Sequence, residues 1–531
     1  MMDRARTDDL EIQDATVSRA FLRVAAGALG LAREDLDNIH FQGDGVLPYV
    51  LPVDDFAAGT VAAAGAALRA LMRSSGPHED AAPANNSNGD SNSAAVAPEN
   101  PRFLPALTVD RRLTGLWFGT SLRPVGWELP PTWDSIAGDY RSADGWIRLH
   151  TNAPHHRAAA LSVLRCAEDR ATVAATVARW QGQDLEQAVV AAGGCAAVMH
   201  TLEQWRAHPQ GKAIAAEPLI AWTRHPLAAA PSPRPKDGDP RAALASGHPA
   251  NGHPSTSPGS WRPRQDRPLA GLKVLDLTRI LAGPVSTRFL AGYGADVLRI
   301  DPPGWDEPSL APDVTLGKRC ARLDLRDPGD RARFEALLAQ ADVLVHGYRP
   351  GALDGLGYGA AARRAINPAL IDVTLDAYAW SGPWQGRRGY DSLVQMSSGI
   401  AHAGMAWRGA DKPFPMPVQA LDQGTGYLIA AAVLRGLALR LQEGVAVSAR
   451  LSLARTAEAL FGLAESTGEG SREQKGLATR DEDYAADHEI THWGPAQRAR
   501  PPLAILGAPM RWDYPAGPLG TATAEWRGQA G

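Results

Sequence analysis

Apolar positions change rhythm twice along this chain. Over about residues 10–74 they recur at helical spacing, in FLRVAAGALGL and then FAAGTVAAAGAALRALM, as a 3.6-residue period demands. From about 103 to 225, short strand-like runs such as GWIRLHT mix with the helical patterns HHRAAALSVLRC, ATVAATVARW and LEQAVVAAGG. From about 268 to 465, apolar runs bounded by turns alternate with helices: LKVLDL, PVSTRFLAGYG, ADVLRID, RLDL, PGDRARFEALLAQ, ADVLVHGY and, after another helix, ALIDVTL. Short buried strands alternating with helices make βαβ units and a mostly parallel sheet, so the expected fold class is α/β.

Two low-complexity stretches interrupt this pattern, Ser75–Arg102 and Ala228–Arg267. Neither carries enough large apolar side chains to offset the entropy of ordering, so both are expected to be disordered linkers. A third stretch, Ser466–Arg500, is polar and charged and is expected to hold a long loop. The expected division is a helical block over 1–74, a linker over 75–102, a small α+β domain over 103–227, a linker over 228–267, an α/β domain over 268–465, and a loop with a closing segment over 466–531.

Composition narrows the function. The chain has 531 residues, 44% hydrophobic and 21% charged, with a formal net charge of −4. That balance offers no basic field for many phosphates, which argues against a dedicated nucleic-acid binder. Three scattered cysteines (Cys166, Cys195, Cys320) do not suit a disulfide framework or a thiolate metal site, and fit a reducing compartment. The most apolar run, Leu428–Leu441, is cut by Arg435 and Arg440, and MMDRARTDDLEIQD has no signal core. A soluble, cytoplasmic, multidomain protein is expected.

In an open α/β sheet, ligands bind beyond the carboxyl ends of the strands. The loops there are Thr278–Pro284, Asp301–Glu307 and His346–Gly351. None carries G-x-G-x-x-G, so NAD or FAD is poorly supported; Asp301 suits either a ribose-binding acid or a turn. Pro417–Leu439 has an earlier echo in Leu51–Leu71, with Asp55 (or Asp54) matching Asp422. In both, an Asp precedes an Ala-rich helix. The residues alone leave two readings of each Asp, a simple helix cap or a carboxylate kept ionised by helix N–H groups beside small residues that admit a ligand. His488-Glu489-Ile490-Thr491-His492 matches H-E-x-x-H, but the following Trp493-Gly494-Pro495 should stop a helix, which speaks against a metal site. The pair His155-His156 reads as surface polarity, and Cys320 as a small packed residue.

PLAGLKVLDLTRILAGPVSTRFLAGYGADVLRIDPPG, GKRCARLDLRDPGDRARFEALLAQADVLVHGYRPGALDGLG, GYDSLVQMSSG and LDQGTGYLIAAAVLRGL follow one another over about 200 residues. This run resembles class III CoA-transferases, the formyl-CoA transferase and carnitine CoA-transferase family. The resemblance implies a Rossmann-like parallel-sheet large domain with a smaller α+β domain, usually in an interlocked homodimer. The block over 103–227 resembles that small domain but precedes the large one, and the first block resembles the catalytic-helix region. The family segments thus stand in rearranged, partly duplicated order, which leaves a homodimer and an intrachain pseudo-dimer both open.

The resemblance places the nucleophile on Asp422. It implies transfer of CoA from an acyl-CoA donor to a carboxylic-acid acceptor through an aspartyl anhydride and an aspartyl-CoA thioester, with coenzyme A as substrate and no permanently bound cofactor, metal included. Implied CoA contacts are Leu281, Pro302, Leu323, Arg326, Gly347, Tyr348, Gly355 and Arg388. Leu281, Pro302, Gly347 and Gly355 depart from the polar or basic types that the family uses there. Arg326 and Arg388 keep a basic group for phosphates, Tyr348 keeps a ring for adenine, and Lys318 and Arg319 are further phosphate candidates. Asp55 has no CoA-binding loops before it and reads as structural. Two alternatives stand: an α-methylacyl-CoA racemase-like isomerase, in which Tyr390 occupies the position of that enzyme's His, and a non-catalytic CoA-binding or scaffolding protein.

Overall fold

A computed structural model describes residues 2–74, 104–227, 260–467 and 478–528. The stretches expected to be linkers lie outside the described residues, apart from 260–267. In chain order, α1 (Met2–Leu29), β1 (Ile39–Gln42) and α2 (Val53–Arg73) come first, then β2 (Leu107–Asp110) and β3 (Leu122–Pro124). A small unit follows, made of β4 (Gly138–Arg141), β5 (Trp146–Leu149), α3 (Pro154–Leu164) and β6 (Ala196–Val198), and then β7 (Ala221–Pro226). The larger part runs through β8 (Lys273–Leu277), α4 (Ala282–Gly292), β9 (Asp296–Asp301), β10 (Lys318–Arg322), α5 (Pro328–Gln340), β11 (Val343–His346) and β12 (Ile371–Asp376). It continues with α6 (Asp391–Ser397), α7 (Ala420–Glu443), β13 (Val445–Ser452) and α8 (Leu453–Thr467), and closes with β14 (Tyr484–Thr491), β15 (Gly494–Ala499) and β16 (Leu503–Ile505).

The alternating segments build one seven-stranded sheet in the order β10-β9-β8-β11-β12-β13-β7. All neighbours in it are parallel except β7, which joins β13 antiparallel at the edge. The chain is mixed α/β with a parallel sheet. Its strands are buried nearly end to end, which explains why they read as continuous apolar runs and not as alternation. Strand order reverses between β8 and β11, and the loops after these two strands diverge there, as a ligand site at a topological switch point requires.

Within the stretch expected to hold a long loop, residues 468–477 lie outside the described residues, and residues 484–499 form the β14–β15 hairpin, which β3 extends. Their polar side chains are used across strands: Arg498 pairs with Glu489 at 2.8 Å, and Arg123 donates to Gln497. The H-E-x-x-H segment therefore lies on a strand and its turn.

The core is organised by two Ala-rich helices, α2 and α7, packed on each other, with α1 against α2 and α4 against α7. By length and composition α7 could cross a membrane, yet 89% of its apolar window is buried in the core. The sequence echo has a geometric counterpart. Pro52 before α2 has φ −76° and ψ 67°, and Gln419 before α7 has φ −77° and ψ 65°. Asp55 and Asp422 are each the third residue of their helix. Glycines permit the close approach: a Cβ on Gly424 would lie 2.3 Å from Phe56 Cζ, and one on Gly426 would lie 2.6 Å from the Ala282 carbonyl oxygen.

Gly424→Ala should therefore overpack the α2–α7 seam and lower stability by about 1–3 kcal/mol. Chemical denaturation of the single variants and of the pair with Phe56→Ala checks this; the pair should lose less than the sum of the two, because removing the ring removes the clash.

Candidate active site

The site is set by a buried charge under the loop that follows β8. The Asp276 carboxylate accepts the Thr278 N–H at 2.8 Å and the Thr287 hydroxyl, and Lys318 Nζ lies 3.1 Å from it. Lys318 also donates to the Pro284 carbonyl at 2.8 Å, tying the start of α4 to the strand beneath. Burial alone would raise Asp276, but Lys318 and Arg299 hold its carboxyl below the ordinary range. Lys318 is thus spent inside the protein. Arg319 pairs with Asp296 at 2.9 Å. Neither is placed as a free phosphate ligand, because each is answered by a carboxylate.

Next in the loop, Ile280 has φ +66°, a left-handed conformation that a β-branched residue rarely adopts. Its N–H is held at 2.7 Å by Glu307 Oε1, and Glu307 in turn pairs with Arg299 at 2.9 Å. Arg299 also pairs with Asp301 at 2.9 Å, so Asp301 is committed to a buried ion pair and not open to a ribose.

A cavity of about 330 Å³ opens over these loops at the switch point. The β8 loop supplies Arg279, Ile280 and Leu281; the β11 loop supplies Gly347 and Tyr348; Trp305, Asp376, Arg387, Arg388 and Tyr390 complete much of the wall, and Asp422 opens into it. Of the sequence-stated site residues, the structure brings together Asp422, Leu281, Gly347, Tyr348 and Arg388. Pro302, Leu323, Arg326 and Gly355 do not line this cavity. Leu323 is buried in an apolar cluster with Leu275 and Leu325, and Arg326 is exposed and paired with Asp324 at 2.8 Å. Asp55 is also elsewhere: it accepts the Ser18 hydroxyl at 2.6 Å and an Arg111 N–H at 3.1 Å.

Asp422 does not cap its helix. It is the third residue of α7, in its first turn, and its own N–H donates to Asp391 Oδ2 at 3.0 Å. Asp391 also accepts the Leu421 N–H and a Gln395 N–H, and Gln395 accepts the Met416 N–H at 2.8 Å. The helix donors are answered by Asp391 from α6, which leaves the Asp422 carboxyl with no hydrogen-bond donor among the described residues. The expectation that helix donors depress Asp422 is therefore corrected. Asp422 is only 8% exposed, and burial together with the adjacent Asp391 carboxylate raises it well above the ordinary value. Asp391 is itself pushed up to about 6, chiefly by burial.

The second correction concerns His155-His156. His156 is buried and both histidines line the cavity, delivered by α3 of the small unit. His156 lies edge-on to Tyr390 at 5.9 Å, and His150 stacks on the same ring at 3.8 Å. Burial is the main reason that His156 is lowered to about 4 and His150 to about 3, so both are neutral at pH 7. Burial also pushes the Tyr390 phenol up. Nothing in the local sequence marks this wall, since it arises from packing between segments more than 200 residues apart. Arg279 and Trp305 had a weaker signal: each sits in a loop that follows a strand.

Asp391→Asn should remove the repulsion while keeping an acceptor for the helix N–H groups. Infrared titration of the protonated carboxyl C=O stretch checks this. The wild-type protein should show carboxyl groups titrating at about 6 and above, and the variant should lose one of them and show Asp422 shifted toward lower pH.

Residues 269–486 match the family model for CoA-transferase family III. Among curated proteins, the acetyl-coenzyme A transferase nodX of Hypoxylon pulicicidum is 37% identical over 183 residues, 34% of this chain and 31% of that protein. The human succinyl-CoA:glutarate CoA-transferase is 32% identical over 205 residues, 35% of this chain and 46% of its own length. This chain thus spans less than half the length of either relative. A solved structure of Rv3272 from M. tuberculosis is 30% identical, with a TM-score of 0.34 over 38% of this chain and 59% of that one.

Proposed function

We propose, from a chain whose residues 269–486 belong to CoA-transferase family III, that the protein moves CoA from an acyl-CoA donor to a carboxylic-acid acceptor with Asp422 as nucleophile. The observation that carries this reading is a buried carboxyl, without a donor among the described residues and repelled by its neighbour, opening into the cavity at the switch point of a parallel sheet. Desolvation makes such a carboxylate reactive once it is ionised.

The Asp422 carboxylate attacks the thioester carbonyl; a C–O bond forms, the C–S bond breaks, and CoA leaves as thiolate. The thiolate then attacks the aspartyl carbonyl of the mixed anhydride, giving an aspartyl-CoA thioester and releasing the donor acid as carboxylate. An acceptor carboxylate runs the two steps in reverse. Leu281, Gly347, Tyr348 and Arg388 contact CoA within the cavity, and Pro302 and Arg326 serve its far end beyond the cavity rim; Leu323 stays in the apolar cluster beneath. Arg388 answers phosphate charge, and Arg326 does so by leaving Asp324. Leu277, Leu375 and Leu453 give the cavity an apolar side, and excluding water there would protect an anhydride from hydrolysis. The CoA thioester of a small dicarboxylic acid as donor and a free dicarboxylic acid as acceptor, the substrates that name the human relative, are the first pair to try.

A second reading, α-proton exchange on an acyl-CoA, is favoured by one observation: His156, neutral at pH 7, lines the cavity as a potential base. Deuterium wash-in at the α-carbon without exchange between acids would select it over transfer.

Incubation with acyl-CoA and hydroxylamine should convert Asp422 to a hydroxamate, located by mass spectrometry, and Asp422→Asn should abolish both trapping and exchange while the fold persists. Because the nucleophile must be ionised and both carboxyls of the pair are raised, kcat/KM should rise with pH. Its acid limb should lie well above that of an ordinary carboxylate; a limb near 4 would contradict the assignment.

A further inference from the structure

One carboxyl of the cavity wall is not used by the transfer chemistry. Asp376 is the last residue of β12 and pairs in register with Ser452 at the end of β13. Its Oδ1 accepts the Tyr378 N–H at 3.1 Å, which fixes the turn after the strand. Its Oδ2 is buried and has no hydrogen-bond partner among the described residues. The rest of that loop draws its partners from elsewhere. Gln210 donates to the Tyr378 and Ser381 carbonyls at 2.6 and 2.9 Å, and Glu217 accepts the Trp380 N–H at 3.0 Å. The turn therefore asks for one acceptor, which a serine or an asparagine would also supply, and the second carboxyl oxygen is surplus to it.

Asp376 lines the cavity that contains Asp422, together with its neighbours Leu375 and Ala377 and with Leu453. An unanswered polar atom in such a wall is destabilising, and a ligand that supplies the missing hydrogen bond is favoured over one that does not. Burial is the main reason that this carboxyl is raised to about 7. Near neutral pH both of its forms are therefore populated, and Oδ2 can accept from a hydroxyl or donate to a carboxylate. We propose that Asp376 selects among acid substrates by hydrogen-bonding a hydroxyl or a second carboxyl on the acyl chain, so that the acids transferred carry such a group and plain alkanoic acids are discriminated against. The inference rests on the reading that acids exchange on Asp422.

Competition between acids tests it. An acyl-CoA donor is turned over with an equimolar mixture of butyrate, 2-hydroxybutyrate, 3-hydroxybutyrate and succinate. Mass spectrometry of the CoA thioesters gives the product ratio, which does not depend on how much of the protein is active. Wild type should favour succinyl-CoA or a hydroxybutyryl-CoA over butyryl-CoA by about ten-fold or more, the scale of one hydrogen bond to an ionisable group. Which product leads tells a carboxyl from a hydroxyl. Asp376→Leu should bring that preference to parity or below, and Asp376→Asn should keep most of it. Asp376→Ala adds no volume and should repeat the leucine result, with thermal melting as the folding control. Butyryl-CoA formed at parity by wild type, or a ratio unchanged in both Asp376→Leu and Asp376→Ala, overturns the inference while leaving the transferase reading intact. A contact to the pantetheine arm, common to every product, gives the second of these results. Hydroxamate at Asp422 with none of these thioesters formed also overturns the inference alone; no thioester and no hydroxamate overturns both.

Discussion

Two backbone N–H groups at the start of α7 end on one carboxylate, that of Asp391, and this exchange of partners shapes the site. A helix start normally satisfies its donors with a side chain of its own. Here a residue from α6 does so, which leaves the first-turn Asp422 open to the cavity with no donor among the described residues. The same contact brings a second negative group close, so the pair resists double ionisation. Reactivity and a raised requirement for pH are two consequences of one arrangement.

The loops around that carboxyl are held by ion pairs that never meet solvent. Lys318 and Asp276 tie α4 to β10, and the Arg299–Asp301–Glu307 cluster supports a residue in a left-handed conformation at the cavity rim. Removing one partner of such a pair leaves a buried charge uncompensated, at a cost of about 3–5 kcal/mol. These charges are therefore structural supports of the binding loops and not ligands themselves. The α2–α7 seam serves the same end from behind: Phe56 resting on Gly424 and the Ala282 carbonyl against Gly426 bring α4 and α7 close enough for their N-terminal ends to share the cavity.

Much of this was legible in the residues. Runs such as VLDL and DVLVH, buried on both faces, read as parallel strands, and the loops after β8 and β11, expected to face a ligand, line the cavity. Asp422 stood out because small residues follow it and because its surroundings echo those of Asp55. Its electrostatics were not legible, since the group that takes the helix donors lies 31 residues earlier. Lys318 looked like a phosphate ligand because its burial depends on a partner 42 residues away. His156 looked like surface polarity because only the docking of the small unit turns it inward. Local pattern reports periodicity and caps; it does not report which distant side chain answers a charge.

The central claim, that the Asp422 carboxylate passes through an anhydride with each acid, is tested most directly by isotope transfer. A single turnover of an acyl-CoA donor with an acceptor acid labelled with oxygen-18 at both carboxylate oxygens should leave one labelled oxygen on the Asp422 side chain, because the thiolate finally attacks the acceptor's carbonyl and returns the bridging oxygen to the protein. Mass spectrometry of the peptide that spans residue 422 should show that label after turnover. Efficient transfer with no label at Asp422 would contradict the account.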